Sequence, residues 1–338
     1  MFHGFWKKGA PFIGVSPMDG VTDAVFRGVI AQTAPASVSF TEFVNVEGLA
    51  RGATSMLRAF LYDPAERPLV AQIYGIEEES FYKVAIMLCS LQVDGIDINM
   101  GCPAKKVAAR GAGAGLIRNP EHAKRIVKMV QKGIVDWNNG ITFEEADIRP
   151  KVVNALEKMP NYSLTRKMIP VSIKSRIGYD SIVAEEWVDH LLEVEPAAIT
   201  LHGRTLKQMY TGAADWDVLG KVSQKLKNTE TLFLGNGDIT SLDMAHEYIK
   251  KYELDGVLIG RALIGNPWFF SGHIPTPEER KKKSIEHSLY YEKIFPEAPF
   301  FPMRRHLACY MKEFSGAKES RTRLMQANSS DDVITILS

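Results

Sequence analysis

The segment Asp97-Ile-Asn-Met-Gly-Cys-Pro-Ala-Lys-Lys106 holds the chain's most chemically promising side chain. An apolar run ends in Asn99, a glycine turn presents Cys102, and a proline and two lysines follow. A thiol placed at the end of a strand, beside positive charge, is suited to act as a nucleophile or as a proton donor. Polar endings of this kind recur. They include Ser16-Pro-Met-Asp-Gly20, Gln72 within an apolar run, Lys174-Ser-Arg176, His202-Gly-Arg204, Gly235-Asn-Gly-Asp238 and Gly260-Arg261. One such ending would mean little, but packing alone does not explain one on nearly every run. Lys174 inside an apolar strand is costly without a partner, which argues for a functional one. His202 at a strand end reads as functional, against the alternative of a hydrogen-bonded structural histidine.

The elements that must position these residues follow from periodicity. Strands are expected at Phe12–Val15, Ser37–Phe43, Leu69–Tyr74, Gly95–Asn99, Pro170–Ser175, Ala198–His202, Thr231–Gly235 and Gly256–Ile259. Amphipathic stretches such as Ser80–Leu91, Pro120–Gln131, Ala184–Val194 and Ser241–Lys251 lie between most of them. Eight strands with helical crossovers predict an α/β fold, a (β/α)8 TIM barrel rather than an open sheet. The active site of such a barrel lies at the C-terminal ends of its strands, where the polar endings cluster. Its last two strands form the usual phosphate corner. Gly235-Asn-Gly-Asp238 and Gly260-Arg261 fit that role and imply a phosphate-bearing cofactor. Lys174, on a middle strand, would then face the electron-rich edge of a ring, where a positive charge stabilises an anionic reduced flavin.

Two stretches break the alternation. Residues 133–167 form an insertion, with a loop at Trp137-Asn-Asn-Gly140 and a helix over Glu144–Met159, read as packing or partner surface on the bottom of the barrel. From Pro275 the pattern turns helical, over Pro277–Phe295, Pro302–Phe314, Ala317–Asn328 and Ser330–Leu337. The expected organisation is a barrel over 1–274 and a small helical domain over 275–338.

Composition is that of an ordinary globular protein, and a net charge of +1 neither announces nor excludes a nucleic-acid partner. Three cysteines without paired spacing argue against a disulfide framework and against a zinc site, and point to a reducing compartment. Cys89 and Cys309 lie in apolar contexts and read as core thiols. No apolar run approaches the roughly 20 residues of a membrane span, and Met1–Lys8 shows no signal-peptide pattern. Gly111-Ala-Gly-Ala-Gly115 does not directly follow a strand, so it reads as a close-packed turn rather than a dinucleotide loop.

Taken in order, Ser16-Pro-Met-Asp-Gly-Val-Thr-Asp23, Asn99-Met-Gly-Cys-Pro103, Lys174-Ser-Arg176, His202-Gly-Arg204, Gly235-Asn-Gly-Asp238 and Ile259-Gly-Arg-Ala262 resemble the tRNA-dihydrouridine synthases. The tail around His306–Lys312, with Arg321 and Arg323, resembles their bacterial B-type branch most. The resemblance implies a cytoplasmic enzyme, expected as a monomer, with FMN as cofactor, NADPH as electron donor and tRNA as partner. The implied reaction is reduction of the C5=C6 bond of uridine, with Cys102 as the acid that protonates C5. It further implies that Ser16, Pro17 and Met18 line the flavin ring. Gln72 and Lys174 would bond its polar edge with His202 close by, and Asn236, Gly237, Asp238, Gly260 and Arg261 would hold the phosphate. Asn99, Arg176 and Arg204 would approach the uracil. Lys281–Lys283, Arg304, Arg305, Arg321 and Arg323 would offer a basic face to RNA, with binding that weakens steeply with salt. Two other readings stay open on the residues alone: a flavin barrel acting on a small molecule, and a barrel that binds RNA without catalysis.

Overall fold

The computed structural model describes every residue except Met1, Tyr210 and Glu313. Nine strands form one parallel sheet: β1 Phe12–Val15, β2 Ser39–Phe40, β3 Val44–Asn45, β4 Leu69–Tyr74, β5 Gly95–Met100, β6 Val171–Arg176, β7 Ala198–His202, β8 Leu232–Asn236 and β9 Gly256–Ile259. β1 pairs with β9 on one side and with β2 on the other, and β2 pairs with β4, so the sheet closes on itself. The result is a TIM barrel of eight staves, of which the second is broken into β2 and β3. Four expected strands coincide with β1, β4, β7 and β9. Three others end one residue further toward the site than expected.

The broken stave corrects the continuous strand expected over Ser37–Phe43. Between its two halves the Thr41 hydroxyl, not a carbonyl, accepts the hydrogen bond from the Gln72 N–H at 3.0 Å. A side chain thereby takes a ladder position and interrupts regular pairing. At the opposite end of the barrel Trp6 is 1% exposed. It packs 4.8 Å from Phe12 and closes the strand beginnings over Val38, Phe40, Val70 and Leu258. The floor is thus aromatic and dry, which leaves the other end for polar chemistry.

The insertion differs from expectation. The helix that opens at Pro120 runs on to Asn138, and Trp137 is a buried member of it rather than part of a loop. The Arg166 guanidinium lies 3.7 Å over the Trp137 ring, so the return of the insertion clamps the helix end. The helix expected over Glu144–Met159 shrinks to Pro150–Leu156. Proline disfavours the helical conformation at the preceding residue, and Arg149 is extended, with ψ of 135°. This short helix packs against the Thr54–Phe60 turn that follows the second stave.

Beyond the barrel, Thr276 caps the helix Pro277–Ile294 reciprocally with Glu279. Shorter helices follow at Met303–Tyr310, Ala317–Leu324 and Ser330–Leu337; the middle two end earlier than expected. Cys309, expected in the core, is exposed. Their apolar core takes in Leu307, Tyr310 and Val333, and also Val25 and Trp268 of the barrel. Gly28 on the helix Ala24–Thr33 faces Tyr290 so closely that a Cβ there would lie 2.7 Å from its ring.

Two imidazoles are buried in this junction. His287 bonds the Tyr310 hydroxyl at 3.0 Å, and its ring centroid is 5.4 Å from that of His306, which packs on Phe26. Burial, then the neighbouring His306 and Lys283, push the pKa of His287 well down; burial and Arg305 lower that of His306 to about 3. Both rings are therefore neutral in the folded chain but titrate near 6.5 once unfolded. Stability is complete above about pH 6.5 and falls as pH drops below it, by up to about 2.7 kcal/mol per pH unit for two such groups. Thermal melts from pH 7.5 to 5 should show the loss, and His287→Gln with His306→Gln should flatten the slope; an unchanged slope would remove these histidines as its cause.

Candidate active site

Strand register assembles the polar endings into one surface. Asn99 stands opposite Lys174, Arg176 opposite His202, and His202 opposite Asn236. Cys102 is 8% exposed, and its turn is held from below: the Asn99 Oδ1 accepts from the N–H of Gly101 at 3.0 Å and of Cys102 at 2.8 Å. The Asn99 amide donates to Gln72 Oε1 at 2.9 Å, Gln72 donates to Asp97 Oδ2 at 2.7 Å, and Ser172 donates to Asp97 Oδ1 at 2.7 Å. Gly113 presses on the thiol residue from the side, where a Cβ would come 3.0 Å from that of Cys102. Burial, with Asp19 adding to it, raises the thiol pKa above its ordinary value against the opposing pull of the Ala104 N–H and Arg176. The group is a protonated thiol at neutral pH, which suits a proton donor.

Asp97 belongs to this arrangement although the motif reading passed over it. It is fully buried, and burial raises its pKa to about 6 against the hydrogen bonds of Ser172 and Gln72 and the charge of Lys174. Its sequence signal is the one used for Lys174: a charged residue inside an apolar strand.

Lys174 Nζ donates to Asn236 Oδ1 at 3.0 Å, and the Asn236 amide donates to the Leu258 carbonyl at 2.8 Å. Burial, then Arg176, lowers the Lys174 pKa to about 8. The effect on His202 is larger. Burial and then Lys174, Arg176, Arg204 and Arg261 depress its pKa to about 2, so the imidazole is neutral. Four cationic side chains thus converge on one ring. Asp238 sits between two of them, bonded by both Nη atoms of Arg204 at 3.0 and 2.6 Å and by Arg261 at 3.0 Å. Burial opposes its ionisation, but Arg204, the Ala214 N–H and Arg261 outweigh burial and hold the carboxyl below its usual range.

The turn that carries Asp238 is wound for backbone approach. Gly237 has φ of 137° and Asp238 has φ of 54°, in the region L side chains rarely enter. Gly260 lies beside Met18 and Ser16: a Cβ there would be 3.5 Å from the Met18 sulfur and 4.0 Å from the Ser16 Cβ. The glycine corner and the Ser16-Pro17-Met18 segment therefore border one space. Concentrated positive charge, a glycine cradle and the buried, unpartnered Nε of Arg204 fit a phosphate-bearing ring cofactor.

Other expected residues fall elsewhere. Arg204 is 3% exposed and committed to Asp238 and the Gly212 carbonyl, while Arg176 donates to the Gly101 and Thr205 carbonyls. On the helical side, Arg304 braces Ala327 and Asn328, Arg321 bonds the Met311 carbonyl, and Lys283 pairs with Glu286. Arg305 is exposed and reaches the barrel mouth, where a Cβ on Gly20 would lie 2.9 Å from its guanidinium. Among the described residues no group of three or more His, Cys, Asp or Glu is placed to hold a metal.

Comparison with known proteins decides the family. The family model described as dihydrouridine synthase matches residues 14–136 and 143–337. The chain belongs to the dihydrouridine synthase family. The break in the match, residues 137–142, falls at the end of the helix Pro120–Asn138, and residues 143–167 lie within the match. Similar dihydrouridine synthases include the "Probable tRNA-dihydrouridine synthase 2" of Bacillus subtilis (strain 168), 31% identical over 351 residues, covering 100% of this chain and 96% of that protein. A "Probable tRNA-dihydrouridine synthase" of Staphylococcus epidermidis is 31% identical over 342 residues, covering 97% of this chain and 94% of the relative. Among solved structures, DHODH of Eimeria tenella in complex with ferulenol aligns with a TM-score of 0.41 at 14% identity, over 67% of this chain and 61% of that one.

Proposed function

We propose that this dihydrouridine synthase reduces the C5=C6 bond of uridines in tRNA, with FMN as cofactor, NADPH as electron source and Cys102 as general acid. The observation that carries the reading is a protonated, rigidly held thiol after β5 on the same barrel end as a cation-lined cradle after β8 and β9.

Asn236, Gly237, Asp238, Gly260 and Arg261 would hold the phosphate, with Arg204 bonded to Asp238 rather than touching the base. Ser16, Pro17 and Met18 would line the ring and Lys174 would meet its polar edge, with Gln72, bonded to Asp97 and Asn99, set beside that edge and His202 neutral next to it. FMN held by these residues would supply hydride to C6 of the uracil. Addition there leaves negative charge on C5 and O4, and Cys102 Sγ–H donates its proton to C5, completing the saturated bond. Arg176 steadies the thiolate that remains until solvent returns a proton. Asn99 acts by positioning: both ends of its amide are spent on the Cys102 turn and on Gln72. The base must leave the RNA stack to reach this depth, at a cost of a few kcal/mol. Residues 275–338 serve as the RNA-binding unit, with Arg305 beside Gly20 at the barrel mouth.

The test is mass analysis of nucleosides from tRNA incubated with the purified holoenzyme and NADPH. The expected result is a gain of two mass units on uridine. A flavin that oxidises NADPH without that gain would move the reading to a small-molecule substrate.

A further inference from the structure

A cavity of about 490 Å³ opens beside the active site, between the ends of β3 and β4 and the short helix Lys105–Ala109. That size lies in the range of pockets that hold small organic groups. One wall, formed by Lys106, Val107, Arg110 and Ala112, belongs to the segment that starts at Cys102 and returns to press on it through Gly113. The facing wall includes Tyr74, whose ring stands at 90° to Phe43, 5.2 Å away. Cavity and thiol therefore share a partition.

The lining is selective. Its carboxylates are already committed. Glu47 accepts from the N–H groups of Ile76 and Glu77 and from the Asn45 amide, and Glu77 is bonded by Arg51 and Ser80. Lys106 and Arg110 are exposed and make no hydrogen bond or ion pair among the described residues. The charge left to act on a ligand is positive. Between the charged rims lie Met56, Tyr74, Ile76 and Val107, an apolar slot with one aromatic face. An anion joined to a flat, largely apolar body matches both features.

We infer that this cavity seats a nucleotide of the RNA strand directly flanking the reduced uridine, its base against Met56 and Tyr74 and its phosphate at Lys106 and Arg110. The inference rests on the reading of the site as an RNA reductase. It also explains how a displaced uridine stays in place: a second anchored nucleotide on the thiol's partition fixes the strand on one side. Because stacking of a base is sequence-tolerant, the slot adds affinity without dictating the neighbouring base.

The test measures KM and kcat for dihydrouridine formation by the flavin-loaded enzyme. Substrates are intact tRNA and tRNAs with an abasic residue on either side of the target uridine. Lys106→Ala with Arg110→Ala, and separately Met56→Trp, which fills the slot, should each raise KM about tenfold with kcat and NADPH-driven flavin reduction unchanged. An abasic residue on one flank should raise KM comparably for the wild type and add nothing in Met56→Trp. Wild-type KM in the exposed double variant, or effects of Met56→Trp and the abasic residue that multiply, would overturn the pocket alone. No dihydrouridine from the wild type would overturn the RNA reading and the pocket with it.

Discussion

Replacing Cys102 with alanine will slow uridine reduction by about 10²- to 10⁴-fold, the usual contribution of a positioned acid, and leave flavin reduction by NADPH unchanged. The separation follows from how the residue is held. The Cys102 turn is fixed through its backbone, by Asn99 Oδ1 below and by the Ala114 N–H donating to the Cys102 carbonyl at 3.3 Å. Neither bond involves the sulfur, so the substitution removes the proton donor and its contact with the Ala104 N–H but keeps both of these backbone anchors of the turn. Measured separately, the reductive half-reaction should keep its rate while the oxidative half-reaction with tRNA collapses. An equal fall in both would show that the thiol supports cofactor binding instead.

Arg27→Ala should destabilise the fold by about 3–5 kcal/mol, the range expected when one partner of a buried ion pair is removed. Arg27 and Glu66 are both fully buried as side chains, with Nε–Oε2 at 2.7 Å. Arg27 also donates to the carbonyls of Thr22 and Leu61, each at 2.6 Å. Burial already raises the Glu66 pKa against the pull of Arg27, so its removal strands a carboxylate in the interior. Arg27→Met with Glu66→Gln should recover much of the loss, since the amide can still accept from the Asp63 N–H that bonds Glu66 at 2.8 Å. Chemical denaturation of the three proteins checks this; a single variant within 1 kcal/mol of wild type would show that water reaches the pair. The consequence extends to the proposed cofactor pocket. Thr22, fixed by Arg27, accepts from the Met18 N–H and donates to the Met18 carbonyl, so flavin retention should weaken together with stability.

What the sequence could reveal divides along physical lines. Strands buried on both faces appear as short apolar runs, and β1, β4, β7 and β9 were legible to the residue because nothing else competes for their pattern. The site was legible because barrel geometry sends every strand end to one place, so an ordered list of polar endings amounts to a list of neighbours. Failures occur where a side chain replaces backbone chemistry, as Thr41 does in the broken stave, or where proline resets a helix start, as at Pro150. Arg204 shows a further limit. A strand-end arginine advertises charge but not its target, and only the fold reveals that Asp238 occupies both Nη atoms. Arg304 and Arg321 looked the same as Arg305 in sequence, yet two of the three brace helices. The cavity beside Cys102 was illegible because its walls come from separate segments between Asn45 and Ala112.

The shared core at the junction bears on how such enzymes can be re-engineered. Because Val25 and Trp268 pack within the apolar cluster of the C-terminal helices, the boundary at Pro275 is a seam in the chain but not in the packing. A chimera spliced there would bring foreign side chains against Val25, Gly28 and Trp268 and mismatch the surface on which the helices rest. The same joint sets a fixed span between Arg305 and Cys102. If residues 275–338 carry the RNA as proposed, changing which uridine is modified becomes a problem of redesigning an angle and a distance, solved on the face of the helix Ala24–Thr33 as much as in the residues that meet the RNA.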